Sequence, residues 1–257
     1  MTGASSGIGE QIARELAKRG HGVTLVARRE DKLKALAEDL ASAHKVRTEV
    51  IAADLTDIAA RAAVRDTLTD RGLEAGILIN NAGFSTTGPV AKSEPEREVA
   101  MIRTDVEAVA HLCSLFLPKM VERRSGAILN VASTAAFQPL PGQSGYAACK
   151  AFVLSYTHGL RGELRGTGVA ATVLCPGPVE TEFADTAGFS EEETTAMPKF
   201  MWVAATDVAR QAVDALDKNR AVIIPGAANR AGAAAAYLTP RSVLIPILAR
   251  QHPALRE

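Results

Sequence analysis

Short β-branched runs alternate along the chain with longer segments whose apolar residues recur every three to four positions. That alternation predicts repeated βαβ units and a mostly parallel sheet. Strands are predicted at residues 23–27, 47–52, 76–80, 127–131, 170–174 and 221–224. Several are nearly continuous apolar runs, such as Ile77-Leu78-Ile79-Asn80 and Ala127-Ile128-Leu129-Asn130-Val131-Ala132, as expected for strands covered by helices on both faces. Helices are predicted at 8–19, with Ile8, Ile12 and Leu16 on one face and Gly20 as its stop, then at 32–42 and at 57–70 with Thr56 as N-cap. Others follow at 94–123, 146–165, 206–216 and 229–237. The pattern describes one α/β domain over residues 1–257, a three-layer α/β/α doubly wound sheet. A lid is inserted at 182–204, where mixed character separates two strands, and a helical tail occupies 227–257.

A chain of 257 residues with 29 basic against 29 acidic side chains and 47% apolar residues fits a single globular domain. Zero net charge gives no electrostatic reason to expect a nucleic-acid partner. Cys113, Cys149 and Cys175 are widely spaced and unpaired in pattern, which supports neither a disulfide framework nor a zinc site, and a reducing cytoplasm is expected. The histidines His21, His44, His111, His158 and His252 show no ligand spacing, so no metal is expected. No secretory signal follows Met1, and the most apolar stretch, 231–249, is broken by Pro240, Arg241 and Pro246, so membrane insertion is not expected.

Met1 is followed at once by Thr2-Gly3-Ala4-Ser5-Ser6-Gly7-Ile8-Gly9, a glycine-rich turn running into a helix. Gly3 permits the tight turn, Gly7 lets backbone approach a pyrophosphate, and Gly9 lets the helix pack near the sheet, with the helix N-terminus facing the phosphates. The alternative is a loop that merely needs positive φ. The next strand ends in Arg28-Arg29, where NAD-preferring folds place an acid on the ribose hydroxyls. Two guanidiniums suit a 2′-phosphate, so NADP(H) is favoured over NAD(H); the bland reading is a solvated charge pair at a helix start. Asp54, followed by Leu55, can accept from an adenine amino group. Asn80-Asn81-Ala82-Gly83 ends a strand with small residues against which a cofactor can lie. Tyr146 and Lys150, four apart on a helix, share a face, and an ammonium beside a phenol draws its pKa down so that it can serve as general acid and base. Ser133, at the carboxyl edge of the sheet, can hydrogen-bond a substrate oxygen.

Thr2-Gly3-Ala4-Ser5-Ser6-Gly7-Ile8-Gly9, Asn80-Asn81-Ala82-Gly83, Ser133, Tyr146-Ala147-Ala148-Cys149-Lys150 and Pro176-Gly177-Pro178-Val179-Glu180-Thr181 occur in this order, and together they resemble the short-chain dehydrogenase/reductase family with its Rossmann-like fold. The resemblance covers residues 2 to about 226. It implies that Tyr146 transfers the substrate proton while hydride moves at nicotinamide C4, that Lys150 lowers the tyrosine pKa and holds the nicotinamide ribose, and that Ser133 orients the carbonyl. It further implies that Val179 and Thr181 meet the carboxamide, that Asp54 and Asn81 flank the adenosine, and that Gly3, Ser5, Ser6, Gly7, Ile8, Leu55, Ala82, Gly83, Pro176 and Gly177 complete the cofactor site. A homodimer or homotetramer is also implied.

Three departures stand out. Asp105 occupies the position where the family has Asn; its backbone carbonyl can still hold the relay water, but a carboxylate near Lys150 over-stabilises the ammonium and alters the pH profile. Cys149 replaces a commoner Ser and reads as packing rather than as a redox thiol. The strand that the family places before its glycine turn is missing, which leaves backbone groups unpaired on both neighbours and suggests a start assigned about ten residues too far downstream.

Apolar residues Phe84, Phe137, Leu140, Phe183 and Phe189, with Met197, Phe200, Met201 and Trp202 of the lid, predict an apolar carbonyl or alcohol substrate. The leading expectation is an NADP(H)-dependent ketone or aldehyde reductase. Its rivals are a 3-oxoacyl-carrier-protein-type reductase, a catalytically silent nucleotide-binding regulator, and a membrane-surface reductase held by 231–249.

Overall fold

In the computed structural model, which describes residues 1–190, 192, 194, 198–251 and 255, the strands are β1 Val23–Ala27, β2 Thr48–Ala52, β3 Ile77–Asn80, β4 Gly126–Val131, β5 Val169–Leu174 and β6 Val222–Ile223. Each lies within one residue of the run that predicted it. The helices are α1 Gly7–Lys18, α2 Glu30–His44, α3 Ile58–Asp70, α4 Pro95–Ile102, α5 Ala108–Glu122, α6 Ser144–Glu163, α7 Phe183–Ala187, α8 Ala205–Asp217, α9 Ala227–Leu238 and α10 Arg241–Gln251. Among the described residues, no helix is long and apolar enough to cross a membrane.

Two local expectations are corrected. The helix expected at 94–123 is split by a π-helical turn at Arg103–Glu107, so it changes phase between α4 and α5. Asp57, not Thr56, caps α3, its side chain accepting from the Ala59 amide at 2.8 Å. The tail expected to be helical forms α9 and α10, which are interrupted at Thr239-Pro240, and Pro246 lies inside α10.

All strand pairings are parallel. β2 pairs with β1, and β3-β4-β5-β6 form a second group. Alternate strand residues feed two cores, as the pleat requires. Leu25, Ile79, Leu129 and Leu174 pack with Ile12, Leu16 and Val208 of α1 and α8. Val26, Leu78, Ile128 and Ala171 pack with Val64, Leu112 and Leu160 of α3, α5 and α6. The apolar runs of β3 and β4 are interrupted by Asn80 and Asn130, which stand in register. Asn80 Nδ2 donates to Asn130 Oδ1 and Asn130 Nδ2 to Thr157 Oγ1, each at 2.9 Å, and Thr157 donates in turn to the Val153 carbonyl at 2.6 Å. This buried relay ties the sheet to α6, the helix that carries Tyr146.

Residues 1–4 lie between β1 and β3 and splice the two strand groups. The Met1 nitrogen donates to the Thr24 carbonyl at 3.0 Å and the Val26 amide to the Met1 carbonyl at 2.9 Å. On the other side the Thr2 amide donates to the Ile79 carbonyl at 2.9 Å. The splice reaches only the carboxyl ends of the strands. Beneath it a cavity of about 310 Å³ separates β1 from β3, lined by Val23, Thr24, Ile77, Leu78 and Phe116 among others.

Candidate active site

The loops at the carboxyl ends of the strands converge on one cleft of about 440 Å³, where an open α/β sheet places its ligands. Gly3, Ser5, Ser6, Gly7, Ile8, Arg28, Arg29, Asp54, Leu55, Asn81, Ala82, Gly83, Ser133, Tyr146, Lys150, Pro176, Gly177, Val179 and Thr181 all line it. Asp105 does not; it lies beneath the floor, fully buried.

Thr2 and Asn81 shape the glycine-rich turn. The Thr2 hydroxyl accepts from the amides of Asn81 and Ala82 at 3.0 and 3.1 Å, and Asn81 Nδ2 donates to the carbonyls of Thr2 and Gly3 at 3.2 Å each. A Cβ on Gly9 would sit 2.1 Å from the Gly3 carbonyl oxygen and 2.4 Å from Asn81 Nδ2. Gly9 therefore lets α1 pack close against the turn and the end of β3. The Asn81 amide nitrogen is committed to this clamp, and Asn81 also lines the cleft. Ser6, which precedes α1, makes no side-chain cap, and the first turn of α1 opens beside the cleft. A helix start of this kind fits a pyrophosphate.

On the floor, α6 presents Tyr146 and Lys150, 8% and 4% exposed. Lys150 Nζ lies 2.8 Å from Asp105 Oδ2, donates to the Val131 carbonyl at 3.2 Å and stands 5.5 Å from the centre of the Tyr146 ring. Asp105 reaches this position because the π-helical turn directs it inward, and Gly83 leaves it space: a Cβ there would lie 2.9 Å from both carboxylate oxygens. Its Oδ1 accepts from the Phe84 amide at 3.1 Å. The Ser133 hydroxyl accepts from the Ala135 amide at 3.1 Å and donates to the Pro176 carbonyl at 3.4 Å.

The electrostatics differ from the expectation of a simply depressed phenol. Burial pushes Tyr146 up; Lys150 pulls it down, but Asp105 pushes it up again, and the net direction is upward. Burial also raises Asp105, against the pull of Lys150. For Lys150, burial disfavours the charge, yet Asp105 and Tyr146 outweigh it and the ammonium is held up. Asp105 thus neutralises much of the charge that would otherwise stabilise a phenolate. Cys149 is pushed up to about 12 by burial and by Asp105, which makes it a packing residue rather than a reactive thiol.

At the other end of the cleft, Arg29 donates to the Ser5 and Ser6 hydroxyls and pairs with Glu182. Asp54 Oδ1 accepts from the Thr56 amide and hydroxyl, both at 2.9 Å, so one carboxylate oxygen closes a turn. Phe84, Leu140, Phe183, Phe189 and Trp202 line the cleft. Phe137 packs instead beside Val153 and Val173, Phe200 is 76% exposed, and neither they nor Met201 line the cleft. Met197 and His252 lie outside the described residues. Sequence reasoning missed Gln143, which donates to Ser85 at 3.0 Å on the cleft wall, and Glu182, whose signal was an acid directly following the Pro176–Thr181 motif. It also missed buried Asn229, which packs so closely on Gly177 that a Cβ there would come within 2.5 Å.

A sequence profile described as short chain dehydrogenase matches residues 1–192. The chain belongs to the short-chain dehydrogenase family. Membership places it among nicotinamide-dependent oxidoreductases acting on CH–OH groups. Sulfoacetaldehyde reductase 2 of Chromohalobacter salexigens is 37% identical over 190 residues, spanning 71% of this chain and 73% of that protein. The very-long-chain 3-oxoacyl-CoA reductase of Anas platyrhynchos is 35% identical over 194 residues, 72% of this chain but only 60% of the relative's length. A short-chain dehydrogenase from Sphingobium yanoikuyae, solved in complex with NADPH, superposes with a TM-score of 0.82 at 35% identity, covering 96% of this chain and 94% of that one. A family member from Burkholderia phymatum, solved with NAD, gives the same TM-score at 28% identity, covering 91% and 90%.

Replacing Asp105 tests the floor directly. Asp105→Asn should lower the Tyr146 phenol pKa, because the negative charge that opposes phenolate is removed while Lys150 stays. Asp105→Ala should cost about 3–5 kcal/mol by leaving the Lys150 ammonium buried without a partner. Phenolate absorbance titration of the Asn variant and chemical denaturation of the Ala variant read the two effects.

Proposed function

We propose that this protein is an NADP(H)-dependent oxidoreductase interconverting an apolar ketone or aldehyde and its alcohol, with Tyr146 as general acid and base. The observation that carries the reading is a single cleft with the Ser133, Tyr146 and Lys150 side chains at one end and Arg28 and Arg29 at the other. Residues 3, 5–8, 28–29, 54–55, 81–83, 176–177, 179 and 181 would hold the cofactor, which would supply hydride exchange at its nicotinamide ring. The protein's own side chains handle the proton. In reduction, the Ser133 hydroxyl turns its one proton from the Pro176 carbonyl to the substrate oxygen, and Tyr146 gives that oxygen a proton as negative charge develops there. Lys150, fixed by Asp105 and by the Val131 carbonyl, is the nearest positive charge to the phenolate left behind. The raised phenol keeps Tyr146 protonated at neutral pH, the form that carbonyl reduction requires.

Phe84, Leu140, Phe183, Phe189 and Trp202 give the reacting end an apolar wall, which favours a substrate with hydrocarbon bulk beside its carbonyl. The NADP(H) preference rests on Arg29, whose guanidinium is positioned by Ser5 and Ser6 at the edge of the cleft, and on the absence of an acid at Ala27 or Arg28.

Consumption of NADPH across a panel of apolar ketones and aldehydes, followed by absorbance, tests the activity. Tyr146→Phe should reduce turnover by about 10²–10⁴-fold while NADPH still binds. Cofactor binding without turnover of any panel member overturns the enzymatic reading. Arg29→Ala should weaken NADPH about tenfold relative to NADH; equal losses for both refute the cofactor preference.

A further inference from the structure

Glu182 stands where the lid joins the cleft. Its Oε2 lies 2.7 Å from Arg29 Nη1 and its Oε1 2.7 Å from Lys32 Nζ, so one carboxylate bridges two cations at the start of α2. Lys32 and Arg29 hold this carboxyl down at about 2, which keeps it anionic throughout the neutral range. The other edge of the Arg29 guanidinium faces only neutral hydroxyls: Nε donates to Ser5 at 3.1 Å, and Nη2 donates to Ser5 at 2.9 Å and to Ser6 at 2.7 Å. The next residue, Phe183, lies against the Tyr146 ring with centroids 5.7 Å apart. Phe183 opens α7, whose Thr186 carbonyl accepts from Arg97.

We propose that Glu182 is a built-in occupant of the 2′-phosphate subsite, and that a phosphoryl group arriving on Arg29 and Lys32 displaces it and so frees Phe183 from Tyr146. The inference rests on the NADP(H) reading above and deepens it, because it makes the start of the lid responsive to the one group that distinguishes the two cofactors. Two anions cannot share these cations without repulsion, and a phosphate carrying about −1.5 to −2 holds them more strongly than a carboxylate. An unphosphorylated ribose brings no charge to break the pair, so Glu182 stays. All three side chains are 42–48% exposed, so the competition is modest, about two- to fivefold in an equilibrium.

Adenosine 2′,5′-bisphosphate and AMP isolate the phosphate from the nicotinamide. Glu182→Gln should tighten the bisphosphate and NADPH about two- to fivefold and leave AMP and NADH unchanged. In a reporter form carrying Phe183→Trp and Trp202→Phe, the bisphosphate should raise acrylamide quenching of the single indole while AMP does not. With Glu182→Gln added, quenching should be high before any ligand is present. Equal tightening of NADH and NADPH, or no quenching response to bisphosphate shown to bind, overturns the proposal. If Arg29→Ala weakens NADPH selectively while Glu182→Gln changes nothing, only this inference fails. If Arg29→Ala does not discriminate between the cofactors, the NADP(H) reading fails with it.

Discussion

The hydroxyl of Thr2 accepts from two amides of the turn after β3, its own amide bonds the Ile79 carbonyl, and the adjoining Met1 carbonyl takes the Val26 amide. Through these few bonds the β1–β2 pair is joined to the four strands from β3 to β6. The cleft is assembled from loops belonging to both groups: Arg28 and Arg29 follow β1, Asn81 follows β3, and Ser133 follows β4. The splice adds directional hydrogen bonds to the shared cores in which Leu25 meets Ile79 and Val26 meets Leu78, and so sets the distance between the two ends of the cleft. The glycines of the turn are a consequence of the same constraint, since Asn81 comes close enough to bond two carbonyls of the turn and leaves no room for a side chain at Gly9.

At the reacting end, charge is arranged in a line from the π-helical turn to the cleft: Asp105, Lys150, then Tyr146. Enclosed in the protein interior, each group sets the state of the next: a carboxylate holds an ammonium, and the ammonium stands beside a neutral phenol. An Asn in place of Asp105 would accept a hydrogen bond without contributing charge. The carboxylate exchanges ease of phenolate formation for a firmly held ammonium and a protonated phenol.

Strand positions were legible because β-branched runs buried on both faces carry a strong local signal, and the loops of the cleft were legible because glycine spacing and strand ends place them in order. Three things were not. The π-helical turn has no local marker: residues 94–123 show uninterrupted helical period, and only the tertiary demand for Asp105 beside Lys150 reveals the phase change. The Asn80–Asn130–Thr157 relay was hidden because a lone Asn in an apolar strand looks like a strand end until the register sets two of them side by side. The direction of the Tyr146 shift was missed because an i,i+4 spacing shows Lys150 but not the burial around it or the carboxylate arriving from another element. Arg29 was read correctly as a residue of the cleft, yet its partner Glu182 lies 153 positions away and had no signal linking the two.

The π-helical turn also acts as a phase converter. A π turn amounts to one residue inserted into an α-helix, so Arg103–Glu107 offsets α5 by about 100° from the line that α4 would otherwise continue. The stripe of Ala108, Leu112 and Met120 meets the sheet because of that offset, and the same offset turns Asp105 toward Lys150. Catalytic geometry and core packing therefore share one degree of freedom. A length change of a single residue between Ile102 and Ala108 cannot adjust the carboxylate without also rotating the apolar face of α5 away from β3 and β4.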